Sequence, residues 1–427
     1  MIQTAQELSL KSEVLIEKEN KYGAHNYHPL PVVLEKGEGV FVWDVDGKKY
    51  YDFLSSYSAV NQGHCHPRIV DAMIQQAKIL TLTSRAFYND KLGVFEEFVT
   101  NYFGFDKVLP MNTGAEAVET ALKLCRKWGY EVKGIPDNQA QIIVCENNFH
   151  GRTTTIISFS NDENARQSFG PFTNGFIKIP YDDIEALEKV LKSSTNIAGF
   201  LVEPIQGEAG VYVPAESYLA KAKALCEQYN VLFIADEVQT GIARTGRLLA
   251  TCGNCSCENG CENKPEVKPD ILILGKAISG GVYPVSAVLA NDTIMNVIKP
   301  GQHGSTFGGN PIAAAVAIAA LEVVREEHLA KNAERLGILL RKGLNEIAQR
   351  NSLIELVRGK GLLNAIVINC SEDSDLAWNI CLRFRDYGLL AKPTHGNKIR
   401  FAPPLVITEP QIQDCLGIIE NALNDFL

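Results

Sequence analysis

What this chain of 427 residues lacks narrows it before any motif does. No run reaches the roughly 18 apolar residues of a membrane-crossing helix, so no membrane partner is expected. No block of lysine and arginine stands out against a net charge of −9, which argues against nucleic acid as a partner. No internal repeat or low-complexity linker breaks the chain. Its opening stretch, MIQTAQELSLKSEVLIEKEN, has neither the apolar core of a secretory signal nor the acid-poor, Arg-rich character of a transit peptide. The expected location is therefore cytoplasmic. What remains is an ordinary globular composition, 46% hydrophobic and 21% charged, long enough for two unequal domains.

The segment 1–50 reads as a helix followed by a β-ribbon, because GVFVWDVDGKKYYDF alternates around Asp46-Gly47. From about residue 90, strands alternate with helices: KVLPM, QIIVCEN, GFIKIP, AGFLVEP, VLFIADE and ILILGK are short, apolar and rich in β-branched residues. That alternation predicts an α/β fold with a mostly parallel, doubly wound sheet in a large domain over 51–310. After the long helical span that begins at NPIAAAVAIAALEVV, the texture changes to a smaller α+β domain over 311–427.

In such a sheet, ligands collect at the carboxyl ends of the strands. VLFIADEV delivers Asp236 there and DILILGKAIS delivers Lys276. Lys276 has two readings: a surface lysine at a strand end, or a lysine that forms a Schiff base with pyridoxal phosphate while Asp236 pairs with the pyridine nitrogen. NTGAEA supplies a second anchor. Thr113, Gly114 and Ala115 lie between a strand and a helix start, where free amides and the helix dipole favour an anion. His64 and His66 flank Cys65; two imidazoles on an irregular loop point to a structural or substrate-proximal role rather than a metal.

Eleven cysteines are present, four of them packed as C-x2-C-x1-C-x3-C in an insertion over 252–266. Cys252, Cys255, Cys257 and Cys261 could wrap a zinc ion or an iron–sulfur centre. The alternatives are a reduced surface loop, or disulfides formed on purification.

The motifs together resemble the class III, fold-type I pyridoxal-phosphate aminotransferases. The similar stretches run from KYGAHNYHPLPVVLEKG through DFLSSYSAVNQGHCHP, LPMNTGAEA, FHGRT, VEPIQGEAGV, FIADEVQTGIARTG, LGKAISGGVYPVSAV and HGSTFGGNP to LLAKPTHGNKIRFAPPL, nearly the whole chain. The resemblance implies a seven-stranded central sheet and a homodimer with a shared active site. It makes Lys276 the imine lysine and proton carrier, and Asp236 the partner of the ring nitrogen. Phe149 becomes the aromatic on the ring and Gln239 the partner of its phenolic oxygen. Gly114 and Ala115 hold the phosphate, which Thr306 reaches from the other subunit. For substrates it implies ornithine and 2-oxoglutarate, with Tyr27, Tyr57, Arg152, Glu208 and Arg400 as the binding group; N-acetylornithine or 4-aminobutyrate are the alternative amine donors. Arginine suits carboxylates because its fork binds both oxygens. His150 departs from the family pattern, where Trp is common, and so does the cysteine-rich insertion. A reading of another class, a non-catalytic metal-sensing scaffold, would leave these residues together without a use.

Overall fold

The computed structural model describes residues 8–252 and 267–427. The helix Leu10–Tyr22 starts at Ser9, whose hydroxyl accepts from the Ser12 amide. An antiparallel ribbon follows, formed by β1 (Leu34–Glu38), β2 (Phe41–Asp44) and β3 (Lys49–Asp52). The turn between β2 and β3 forms where Asp46-Gly47 predicts it. Gly47 supplies a φ of +83°, and the Asp44 carboxylate accepts from the amides of Asp46 and Lys48 at 3.0 and 2.9 Å.

The central sheet has seven strands: β4 (Lys107–Met111), β5 (Gln141–Cys145), β6 (Phe176–Ile179), β7 (Ile197–Val202), β8 (Leu232–Asp236), β9 (Ile271–Leu274) and β10 (Ser286–Ala290). Their order is β4-β10-β9-β8-β7-β5-β6, with β10 antiparallel to both neighbours and the neighbours from β9 to β6 paired in parallel. Six of these strands stand out in the sequence by apolar run; β10, SAVLA, is short and less branched. Both faces are covered. Leu232 and Ile234 of β8 pack on the side of the helix Gly114–Glu131, while Phe233 and Ala235 pack with the helices Tyr218–Gln228 and Ile184–Ser193. Burying each such large side chain contributes about 1.5–3 kcal/mol, which is why these strands read as unbroken apolar runs.

A third sheet joins β11 (Ile354–Lys360), β12 (Leu363–Ile368), β14 (Pro393–Thr394) and β15 (Lys398–Phe401) in the order β11-β12-β15-β14. Between them in sequence, β13 (Leu389–Leu390) pairs in parallel with β3, so the N-terminal ribbon is fastened to the C-terminal part of the chain. A further link runs from the Ala402 amide to the Phe53 carbonyl at 2.8 Å. It sets β15 against the stretch that leaves β3. No helix among the described residues is long and apolar enough to cross a membrane.

Candidate active site

A cavity of about 190 Å³ opens at the carboxyl ends of β8 and β9, and its walls include Asp236, Lys276, Phe149, His150, Gln239, Gly114, Ala115, Glu203 and Glu208. Residues separated by more than 160 positions in the chain meet here because consecutive parallel strands all end on one side of the sheet.

Asp236 closes β8 and is 5% exposed. One carboxylate oxygen accepts from the Val238 amide at 3.1 Å, and the other meets His150 Nδ1 at 2.6 Å. Burial by itself would depress the His150 imidazole; the hydrogen bond and charge of Asp236 outweigh it and lift the pKa above its ordinary value. Glu203, at the end of β7, stands behind this pair. Burial pushes it up to about 7, against the opposing pull of His150, while it accepts from the Phe149 amide at 2.9 Å. Lys276 follows β9 with a left-handed φ of +46°. Burial brings its amine down to about 8, opposed by Glu208 and helped by Arg400. An amine so poised is neutral for a useful fraction of the time near neutral pH, as a nucleophile must be.

Thr113 caps the helix Gly114–Glu131. Its hydroxyl accepts from the Glu116 amide, and the Glu116 carboxylate accepts in return from the amides of Asn112 and Thr113. The Gly114 and Ala115 amides fall in the first turn, where the helix offers them no carbonyl. Gln239 lies over Gly207: a Cβ at 207 would sit 1.7 Å from Gln239 Oε1, so only glycine leaves room. That oxygen and His150 Nε2 are buried without a hydrogen-bond partner.

The wider part of the site gathers the remaining residues. Arg400, on β15 and 4% exposed, donates from Nη1 to Glu208 at 2.7 Å. Burial would raise the Glu208 carboxyl, but Arg400 overrides it and holds the pKa below its usual value. The Arg400 guanidinium also lies 5.1 Å from the centre of the Tyr57 ring. Burial lifts the Tyr57 hydroxyl above its ordinary pKa; Glu208 and Tyr27 add to this, and Arg400 and Arg152 oppose it, so all five predicted substrate residues act on one locality. Arg152 is exposed, with its guanidinium 5.9 Å from the Phe149 ring centre, and Tyr27 is 71% exposed. Thr306 stands apart. It is exposed on a loop tied down by Asn112 Nδ2 donating to Ser305 Oγ at 2.8 Å, and it is not among the residues lining this cavity.

Sequence reasoning passed over Glu203, although an acid ending an apolar strand, as in AGFLVEP, is the same signal that marked Asp236. It noted His150 only as a departure, because the contact with Asp236 spans 86 positions. His64 and His66 take structural partners, Asp52 at 2.7 Å and Glu327 at 2.9 Å. The zinc or iron–sulfur expectation falls on Cys255, Cys257 and Cys261, which lie outside the described residues; Cys252 is buried in the apolar core. Among the described residues no group of three or more His, Cys, Asp or Glu is arranged to hold a metal ion.

A profile of the class-III aminotransferases matches residues 22–423. The mitochondrial ornithine aminotransferase of Drosophila melanogaster is 61% identical over 413 residues, 97% of this chain and 92% of that protein. A solved structure of an acetylornithine aminotransferase from Elizabethkingia anophelis is 63% identical, with a TM-score of 0.87, and covers 97% of this chain and 99% of its own. An ornithine aminotransferase of Toxoplasma gondii, described as holding pyridoxal phosphate at partial occupancy in its active site, is 47% identical. It aligns with a TM-score of 0.92 over 99% of this chain and 95% of that one.

Proposed function

The chain belongs to the class-III aminotransferases, which use pyridoxal phosphate, and we propose that it moves the δ-amino group of L-ornithine to 2-oxoglutarate. The products are glutamate and glutamate 5-semialdehyde, which cyclises to pyrroline-5-carboxylate. The observation that carries this reading is the Glu208–Arg400 ion pair beneath the Tyr57 ring.

The site fits the cofactor: a buried carboxylate, a lysine of lowered pKa, an unpartnered buried amide oxygen and two first-turn amides converge on one cavity. Pyridoxal phosphate supplies an aldehyde that condenses with amines and a ring that accepts electrons. In our assignment Lys276 carries it and Asp236 keeps its ring nitrogen protonated. Phe149 covers the ring and Gln239 meets the phenolic oxygen. Thr113, Gly114 and Ala115 take the phosphate. With the cofactor bound, Lys276 Nζ would take the proton from the ornithine δ-carbon and hold it for delivery to the cofactor. His150 and Glu203 orient Asp236 and Phe149 by the contacts already described.

The two substrates make opposite demands on Arg400. 2-Oxoglutarate brings an α-carboxylate to the reaction centre, where Arg400 binds it while Arg152 takes the distal carboxylate. Ornithine brings a δ-amine and no carboxylate there, so a bare guanidinium would oppose it; Glu208 neutralises it. Tyr27 and Arg152 then hold the ornithine carboxylate at the mouth. The same reading divides the chain into an N-terminal segment 1–50, a cofactor-binding domain 51–310 and a small domain 311–427.

We assign a homodimer with shared sites, because Thr306 is exposed and the large aromatics Phe87, Tyr88 and Phe307 are 74, 101 and 50% exposed. The cytosol suits seven described free cysteines, Cys65, Cys125, Cys145, Cys226, Cys370, Cys381 and Cys415. No step of this chemistry calls for a zinc ion or iron–sulfur centre in the cysteine-rich loop.

The Elizabethkingia likeness supports a second reading, with N-acetylornithine as the amine donor. The visible spectrum of the holoenzyme decides between them. Bleaching of the cofactor band by ornithine, with recovery on adding 2-oxoglutarate, is the expected result. Bleaching by N-acetylornithine or 4-aminobutyrate but not by ornithine would keep the enzyme class and overturn the substrate.

A further inference from the structure

Tyr57 sits in an unusual piece of backbone. The four residues Ser55, Ser56, Tyr57 and Ser58 have φ of +48, +47, +60 and +74°, all left-handed and none of them glycine. Each such residue brings its Cβ against the following carbonyl, a strain that persists only where the surroundings over-determine it. Neighbouring turns place glycine at positive φ, at Gly39, Gly47 and Gly63, with Cys65 a single exception nearby; here four non-glycine residues in a row take it.

The serine hydroxyls do not explain the conformation, since the Oγ atoms of Ser55 and Ser58 are buried without hydrogen-bond partners. The turn is closed by its own backbone, with the Tyr57 amide donating to the Leu54 carbonyl and the Ala59 amide to the Ser55 carbonyl at 2.9 Å each, and Asp52 fixes its entry. Its Oδ1 accepts from the Leu54 and Ser55 amides at 2.8 and 2.9 Å, which turns the chain out of β3, and its Oδ2 meets His64 Nε2 at 2.7 Å. His64 is itself pinned through its backbone to Gly39 by two hydrogen bonds of 2.8 and 3.0 Å. Its ring has space because residue 37 is glycine: a Cβ there would come within 3.0 Å of the imidazole. At the stem, Phe53 accepts from Ala402, two residues beyond Arg400. Both partners of the Tyr57–Arg400 contact are thus referred to one strand crossing.

We propose that the left-handed turn Ser55–Ser58 is a strained mount fixing Tyr57 against Arg400, with Asp52 and His64 as its positioning residues for amine-donor choice. This rests on the reading that Tyr57 touches substrate and favours ornithine over 4-aminobutyrate. A ring held by four constrained dihedrals loses little freedom when ornithine binds; a ring on a relaxed loop must be ordered each time.

The test compares three variants of the holoenzyme by Tm and by kcat/KM for ornithine against 4-aminobutyrate. Ser56 is exposed, so Ser56→Gly removes no packing and relieves the strain. It should raise Tm, leave kcat for ornithine unchanged, and cut the preference for ornithine roughly tenfold through KM. Asp52→Ala should lower Tm yet shift the preference the same way. Opposite effects on stability with the same effect on choice are the signature. If Ser56→Gly raises Tm and keeps the wild-type preference, the turn is structural only and the proposal falls. Tyr57→Ile is the control: an unchanged preference there overturns the Tyr57 assignment and the mount together, whereas a shift in Tyr57→Ile alone overturns only the mount.

Discussion

Arg244 and Arg400 are both buried, at 0 and 4% exposure, and the chain treats them in opposite ways. Arg244 lies at the joint between the loop after β8 and the third sheet. Its Nε and Nη2 donate to Asn61 Oδ1, and its Nη1 donates to the carbonyls of Leu362 and Pro403 at 2.9 and 2.7 Å. Burial pulls its pKa down to about 9, with only Asp52 acting against this. Arg400 has one carboxylate, a long contact to the Gly207 carbonyl at 3.4 Å, an aromatic face and a buried Nε with no partner. Two adjacent acids repeat the contrast. Glu237 accepts four hydrogen bonds from Thr240, Ala250 and Thr251, while Asp236 keeps a place on the cavity wall. At Arg244 and Glu237, which hold the molecule together, the chain itself supplies the partners. Where a partner arrives from solution, a valence is left open, and its cost is borne until the ligand binds.

The contrast is open to attack at four points, taken from the largest expected effect to the smallest. Asp236→Asn keeps the shape and removes the charge at an open position. Turnover should fall on the order of 1000-fold while the cofactor still binds, as single-turnover spectra would register. Full activity there would end the assignment of Asp236. Arg244→Lys cannot reproduce a planar fork, so unfolding by urea should show a loss of about 3 kcal/mol with substrate KM values unchanged. A normal midpoint would mean that the joint does not depend on the guanidinium.

Arg400→Lys should do the reverse. The 2-oxoglutarate half-reaction should slow by about 100-fold, with the midpoint hardly moved. Equal slowing of the ornithine half-reaction would contradict the partner exchange with Glu208. The smallest effect concerns the cofactor-free protein and Lys276→Met. The folded lysine titrates near 8 against 10.5 for the ordinary side chain, so its charged form is disfavoured by folding. Between those values the unfolded chain binds more protons and stability rises with pH; below about 8 the penalty is complete. Lys276→Met should therefore stabilise the cofactor-free protein by about 2 kcal/mol at pH 7, less than the full shift because Lys276 lines a cavity open to water. The gain should fade as pH approaches 10.5. A pH-independent gain would place its origin in packing instead.

Much of the floor of the site was legible before any coordinates. VLFIADEV and DILILGKAIS are apolar on both faces, and strands buried on both faces end where ligands collect, so the place of Asp236 and Lys276 follows from local pattern. The choice of a cofactor lysine over a surface one came from the neighbouring motifs and the family resemblance. The helix start after NTG was equally visible, and the structure adds a capping box between Thr113 and Glu116. The rim was not legible in that way. Tyr27, Tyr57, Arg152, Glu208 and Arg400 were found through resemblance to a family; nothing in the spacing of IQGEAG and KIRFAPP says that Glu208 and Arg400, 192 positions apart, lie 2.7 Å from each other.

The sequence by itself determined six of the seven central strands, the hairpin at Asp46-Gly47, and which strand ends carry an acid and an amine. These follow from periodicity and from short-range backbone geometry, which act within a few residues. Only the tertiary structure decided that His150 would lie against Asp236, that Glu203 would be pressed to a pKa of about 7 behind them, and that four consecutive non-glycine residues would take left-handed φ to present Tyr57. Each of those depends on burial and on partners brought in from distant strands, and desolvation and strain exist only once the chain has closed around them.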